Sequence, residues 1–121
     1  MTKIIPVLRA FDRKKLTEFY VDWLGFNIEF EHAPPGAPFY VRVSLRGVVI
    51  DLSEHHGDSA PGAKILMADF EGLAIYHKTL LEKNYTYMRP GLELLDWDKD
   101  TISVTVIDPF FNRIEFMERV A

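Results

Sequence analysis

The chain has 121 residues, 48% of them hydrophobic and 26% charged, a composition that suits one globular core rather than two. Its formal net charge of −4 disfavours the phosphate backbone of nucleic acid as a partner. The absence of cysteine rules out disulfides, thiolate metal sites and a cysteine nucleophile. No apolar run approaches the eighteen or so residues of a membrane span, and Met1-Thr2-Lys3-Ile4-Ile5-Pro6 lacks the apolar stretch of a secretory leader, so the expected location is the cytoplasm.

In chain order, Lys3 to Arg9 reads as a β-rich run with an irregularity at Pro6. Asp12 is the expected N-cap of a helix, because its carboxylate can accept from the unpaired amides of the first turn. Leu16, Phe19, Tyr20, Trp23 and Leu24 follow at i, i+3, i+4, i+7 and i+8, one apolar stripe, and Gly25 ends it. Strands are expected over Asn27–Glu31, Phe39–Leu45 and Val48–Ser53, with a Pro-rich loop over 33–38 and a tight hairpin at Arg46-Gly47. After the polar connection 54–62 the order starts again. A strand over Lys64–Ala68 precedes a second candidate cap at Asp69, and the stripe Leu73, Tyr76, Leu80, Leu81 runs to Asn84. Strands are expected over Tyr85–Met88, Thr101–Ile107 and Arg113–Glu118, with a long loop from Pro90 to Asp100 and a turn over Asp108–Asn112.

A shift of 57 residues lays Asp69 on Asp12, Leu73 on Leu16, Tyr76 on Phe19, Leu80 on Trp23 and Leu81 on Leu24. A strand–helix–three-strand order that occurs twice is an internal repeat, with pseudo-repeats over about 1–60 and 61–121 of a single domain spanning 1–121. The fold class expected is α+β: two βαβββ halves whose curved mixed sheet forms a cleft, with the helices on its outer face.

The strings Val7-Leu8-Arg9-Ala10-Phe11-Asp12 and Phe19-Tyr20-Val21-Asp22-Trp23-Leu24-Gly25-Phe26, with the late Asp108-Pro109-Phe110-Phe111-Asn112-Arg113-Ile114-Glu115-Phe116, resemble the glyoxalase/bleomycin resistance/dioxygenase (vicinal oxygen chelate) superfamily over essentially the whole chain. Within it the sequence is most similar to the bleomycin-resistance branch, through Arg46 to His55 as the fourth strand and Trp97 as a ligand-stacking residue. Phe111 departs from the pattern by standing where the family usually has glycine. The resemblance implies a homodimer that holds a small molecule in a groove between subunits, gripped by aromatic and acidic residues.

Strand alternation sorts the side chains independently of any family. Val48, Ile50 and Leu52 oppose Val49, Asp51 and Ser53; Ile102, Val104 and Val106 oppose Ser103 and Thr105; Ile114 and Phe116 oppose Arg113, Glu115 and Met117. If Arg46-Gly47 is a two-residue loop, Leu45 pairs with Val48, and counting back sets Arg42 opposite Asp51 and Tyr40 opposite Ser53. The Arg42–Asp51 pair then has two readings, a solvated salt bridge or a charged pair within the cleft.

Metal-dependent members of the superfamily use His and Glu from four strands. At the matching places this chain has Ile5, no His around Ala63-Lys64-Ile65, and the carboxylates Asp51 and Glu115. No metal and no cofactor is therefore expected, with Asp51 and Glu115 as weak metal candidates. His55 and His56 on an extended chain would point to opposite faces and not grip one ion, which leaves His55 as a hydrogen-bonding group at the cleft rim.

Phe19, Tyr20 and Trp23 belong to the core by their spacing. Phe39 and Tyr40 open a strand after the Pro-rich loop, and Trp97 stands in the charged loop Asp96-Trp97-Asp98-Lys99-Asp100, where it either covers the second helix or stacks on a flat ligand or a partner subunit. The expected ligand contacts are Phe39, Tyr40, Arg42, Asp51, Ser53, His55, Trp97 and Glu115. The functional expectation is a non-catalytic binding protein that sequesters a planar or basic antibiotic or metabolite, with no catalytic residue, because no nucleophile–base pair is legible. The alternative is a divalent-metal-dependent lyase or isomerase, or a dioxygenase, of the same fold.

Overall fold

A computed structural model describes residues 1–120. Eight strands and two helical segments follow one another as β1 (Val7–Arg9), α1 (Arg13–Leu16, continuing as π-helical turns over Thr17–Trp23), β2 (Asn27–His32), β3 (Tyr40–Leu45), β4 (Val48–Ser53), β5 (Lys64–Met67), α2 (Leu73–Glu82), β6 (Glu93–Leu94), β7 (Thr101–Ile107) and β8 (Arg113–Arg119). They form two four-stranded mixed sheets, ordered β1-β4-β3-β2 and β5-β8-β7-β6. In each, the first strand of the repeat runs parallel to the last and the remaining neighbours are antiparallel. The chain is thus the duplicated βαβββ arrangement of the α+β class. It divides into two compact units, one comprising Met1–Ala63 with Pro109–Asn112, the other Lys64–Asp108 with Arg113–Ala121.

In the first unit Asp12 caps the helix as expected, its Oδ1 accepting from the Lys15 N–H at 3.0 Å. Phe19, Tyr20 and Trp23 are fully buried, and Tyr20 meets Phe26 edge-to-face at 5.7 Å. The helix widens to i→i+5 bonding, the Leu24 N–H donating to the Phe19 carbonyl, and Gly25 turns the chain with φ of 89°. β1 is shorter than the sequence suggests. Pro6 has no N–H to donate, although its carbonyl still accepts from the Asp51 N–H at 2.9 Å. At the β3–β4 hairpin Arg46 and Gly47 both take positive φ, 52° and 81°, the two-residue turn whose twist matches the strands it joins. The pairings Leu45–Val48, Arg42–Asp51 and Tyr40–Ser53 are those obtained by counting back from that turn.

The second unit corrects two expectations. Asp69 does not cap α2: it sits in the left-handed region at φ of 55°, and the helix begins only at Leu73, after Gly72 at φ of 71°. The Glu118 carboxylate on β8 takes over the cap, accepting from the N–H groups of Gly72 and Leu73, each at 3.0 Å. A negative charge there suits both the unpaired amides and the helix dipole. Tyr85–Met88 is not a strand. Asn84 turns the chain at φ of 51°, Tyr85 and Tyr87 meet ring to ring, and the sheet edge is instead Glu93–Leu94, inside the stretch expected to be a loop. Leu73 and Leu80 are buried where α2 lies on β7 and β8, and Tyr76 joins Phe70 and Phe116 in an aromatic cluster with centroids 4.7–5.3 Å apart.

The Asp108–Asn112 connection brings Phe111 to φ of 72°, a conformation that usually needs glycine. What holds the turn is Asn112: its Nδ2 donates to the Arg9 carbonyl at 2.8 Å, and its Oδ1 accepts from the Ala63 N–H at 3.2 Å. Phe110 is buried and meets Phe11 edge-to-face.

Candidate functional site

Each unit carries an engaged carboxylate on the polar face of its sheet, Asp51 in the first and Glu115 in the second, where Glu93 also lies, exposed on the edge strand opposite Ser103. In the first unit Asp51 is 2% exposed on the central strand β4. Its neighbour across the hairpin, Arg42, donates Nε to Oδ1 at 2.7 Å and Nη2 to Oδ2 at 3.0 Å, a two-pronged fit that matches guanidinium to carboxylate. The Tyr40 hydroxyl donates to Oδ2 at 2.5 Å. Burial alone would push the Asp51 carboxyl up, but the hydrogen bonds from Arg42 and Tyr40 outweigh it and hold the group below its ordinary value. Burial together with the bond to a carboxylate pushes the Tyr40 phenol up to about 12. The same contacts raise Arg42, whose side chain remains 39% exposed.

At the end of β4 a second cluster forms. The Ser53 hydroxyl donates to Asp58 Oδ2 at 2.6 Å and accepts from the His55 N–H at 3.1 Å. The His55 ring lies with its Nδ1 3.2 Å from the Gly57 N–H and 3.7 Å from Asp58 Oδ1. His55 and His56 do not point apart. They lie beyond the end of the strand, and their rings stack in parallel with centroids 5.5 Å apart, since a chain that has left the extended conformation no longer alternates faces. Ser53 donates to a carboxylate and not to an imidazole, so the Ser–Asp–His grouping has no activated nucleophile.

In the second unit Glu115 on β8 accepts from the Ser103 hydroxyl of β7 at 2.6 Å and from Lys64 Nζ of β5 at 3.1 Å. The Ser103 bond, opposed by burial and helped by Lys64, holds its carboxyl below the ordinary value. Lys64, Leu66, Glu115, Met117 and Trp97 line an open groove of about 460 Å³. Trp97 is 76% exposed and Leu66 55%.

The structure therefore gathers Tyr40, Arg42, Asp51, Ser53 and His55 in the first unit, and Glu115 with Trp97 in the second. Phe39 lies in the core of the first unit. Sequence reasoning missed Asp58, Lys64, Leu66 and Met117 as members of these groups. Strand alternation carried the signal for Met117, on the same face as Glu115, whereas Lys64 and Leu66 reach that face only through the parallel pairing of β5 with β8.

The residues do not suit the divalent metal that enzymes of this fold hold. Among the described residues no group of three or more His, Asp, Glu or Cys comes together. The two carboxylates at the expected ligand places each carry a cation, Arg42 on Asp51 and Lys64 on Glu115, and a second positive charge at either oxygen pair would be repelled. No helix among the described residues is long and apolar enough to cross a membrane.

Two open four-stranded sheets of βαβββ connectivity define the vicinal-oxygen-chelate class of fold. The chain belongs to the glyoxalase superfamily, whose family pattern ("Glyoxalase superfamily protein") it matches over residues 1–121. Similar solved structures include a bleomycin-binding protein in complex with bleomycin (18% identity, TM-score 0.73) and a bleomycin resistance determinant encoded on the transposon Tn5 (18%, 0.74). Another is a member of the glyoxalase/bleomycin resistance protein/dioxygenase superfamily from Sphaerobacter thermophilus DSM 20745 (22%, 0.67). In all three pairs 98% of each chain is covered. At these identities the likeness establishes the fold. No curated protein matches the sequence.

Proposed function

We propose that this protein binds and sequesters a planar small molecule without transforming it. The observation that carries the reading is Trp97, a large aromatic left 76% exposed on the rim of a groove with an aliphatic floor of Leu66 and Met117. An indole in water has no stabilising contact of its own, while one face of a flat ring laid on it removes apolar area from solvent. A groove of about 460 Å³ is within the range of small-molecule sites. The absence of chemistry in the reading rests on the engaged state of Asp51, Glu115 and Ser53, each held by partners that would have to be displaced before it could act as base, ligand or nucleophile.

The test is calorimetric titration with bleomycin and with naphthalene-2-carboxylate, followed by recovery of the compound. At least one should bind and be recovered unchanged, and Trp97→Ala should weaken that binding by about 1–3 kcal/mol, the scale of a lost aromatic anchor. Turnover of the bound compound, or full affinity in the Trp97→Ala variant, would remove the reading. We further propose a homodimer, because the short sheets leave edge strands such as β2, every residue of which is exposed. Sedimentation should give twice the 14.0 kDa chain mass, and a monomer at micromolar concentration would contradict it.

A further inference from the structure

The charge of the ligand follows from which ionic groups line the groove and remain exposed there. The acidic loop around Trp97 suggests, from sequence, a cationic guest. In the structure none of those acids lines the groove, and each lies beside a neighbour elsewhere. Asp98 accepts from the Thr101 hydroxyl at 2.8 Å and from the Asp100 N–H at 3.0 Å, Asp100 faces Arg119 at 3.5 Å, and Asp96 faces Lys99 at 3.7 Å. Within the groove, Glu115 is only 14% exposed and both its oxygens are occupied. Lys64 is 59% exposed and spends one of its three N–H donors on Glu115. Its direct partner across the β5–β8 pairing is Arg113, which is exposed and makes no ion pair with any described residue. Two cations placed opposite each other repel, a cost that an anion lying over them would relieve.

We infer that the groove takes a planar aromatic anion, its ring on Trp97 above Leu66 and Met117 and its carboxylate or other acid group at the Lys64 ammonium. The inference rests on the binding reading above and narrows it. Glu115 then acts as a positioning residue: it holds the ammonium over the groove floor and is itself shielded from the guest. The first unit repeats the pattern, with Asp51 buried beneath the more exposed Arg42. In each of these two ion pairs the cation is the more exposed member, and Glu93, the other carboxylate on the second face, does not line the groove.

The experiment compares naphthalene-2-carboxylate with 2-naphthylmethylammonium, two rings of similar shape and opposite charge, by calorimetry at low salt. The carboxylate should bind at least tenfold more tightly. Lys64→Met should abolish that preference, Lys64→Arg should retain most of it, and Trp97→Ala should weaken both compounds alike. Raising the salt concentration should weaken the carboxylate in the wild type and leave its affinity for the Lys64→Met variant nearly unchanged. Equal or tighter binding of the ammonium overturns the charge assignment while leaving the binding reading in place. An unchanged ratio in a folded Lys64→Met variant overturns the role of Lys64. Binding of neither compound overturns the inference, and the binding reading falls with it if bleomycin also fails to bind.

Discussion

The two repeats place a carboxylate on the same strand, β4 in one and β8 in the other, and neutralise it by different routes. Asp51 receives Tyr40 and Arg42, both from β3, the strand joined to β4 by a two-residue turn. Glu115 receives only a serine hydroxyl from the corresponding strand β7, and its cation comes from β5, on the other side and parallel. The consequences differ. The first arrangement is a closed network in which phenol, guanidinium and carboxylate satisfy one another on a nearly inaccessible oxygen pair. The second is an open one, with a flexible ammonium half in solvent beside an exposed tryptophan and aliphatic side chains. Duplication supplied two equivalent positions, and the residues around them have made one a brace and the other a surface able to receive a guest.

The largest expected effect separates the two tryptophans, one in each unit. Trp23→Ala removes a fully buried indole and should lower unfolding free energy by about 3–5 kcal/mol in denaturant titration. Trp97→Ala should change it by less than about 0.5 kcal/mol, as expected of a surface position. Equal losses would mean that Trp97 belongs to the fold and not to a binding surface.

Smaller, and aimed directly at the contrast between brace and surface, is removal of each cation. Arg42→Met leaves the buried Asp51 with only the Tyr40 hydroxyl as side-chain donor and should destabilise the fold more than the loss of Lys64 does. Lys64→Met should cost less than about 1 kcal/mol, the range of exposed pairs, since the Ser103 hydroxyl still serves Glu115. If the two variants lose the same stability, the units do not differ in the way described.

The pH dependence is the gentlest probe. Asp51 and Glu115 are held below their ordinary values in the folded protein, so the unfolded chain binds their protons first. Their stabilisation is present above the unfolded values near pH 4 and is lost as pH falls through the lower folded ones. Tyr40 works at the other end. Its folded value of about 12 lies above the unfolded value near 10, so its contribution is complete below about pH 10 and disappears as pH rises through 12. Thermal midpoints should fall at both extremes. Tyr40→Phe should abolish most of the alkaline loss, and an unchanged alkaline limb would show that the Tyr40–Asp51 bond is not made in solution.

Much of this molecule was written in local pattern. The helix cap at Asp12, the stripe that buries Phe19, Tyr20 and Trp23, and the repeat itself are short-range properties, because periodicity and side-chain reach decide them within a few residues. The Arg42–Asp51 and Tyr40–Ser53 pairings were equally legible, since a two-residue hairpin turn propagates its register along both strands. What lay beyond the sequence needed partners distant along the chain. Glu118 displaced Asp69 as the cap of α2 from 46 residues away. Glu93–Leu94 took the edge expected of Tyr85–Met88, whose alternation had no neighbouring strand to pair with. Phe111 adopted a glycine-like conformation because Asn112 is fastened to Arg9, 103 residues earlier. Lys64 reached Glu115 by the same kind of long-range parallel pairing, which no turn specifies in advance. Residue chemistry alone therefore determined the faces, the core and one charged pair, and tertiary structure decided which charges remain free to meet a ligand, because that depends on which partners the rest of the chain has already brought to them.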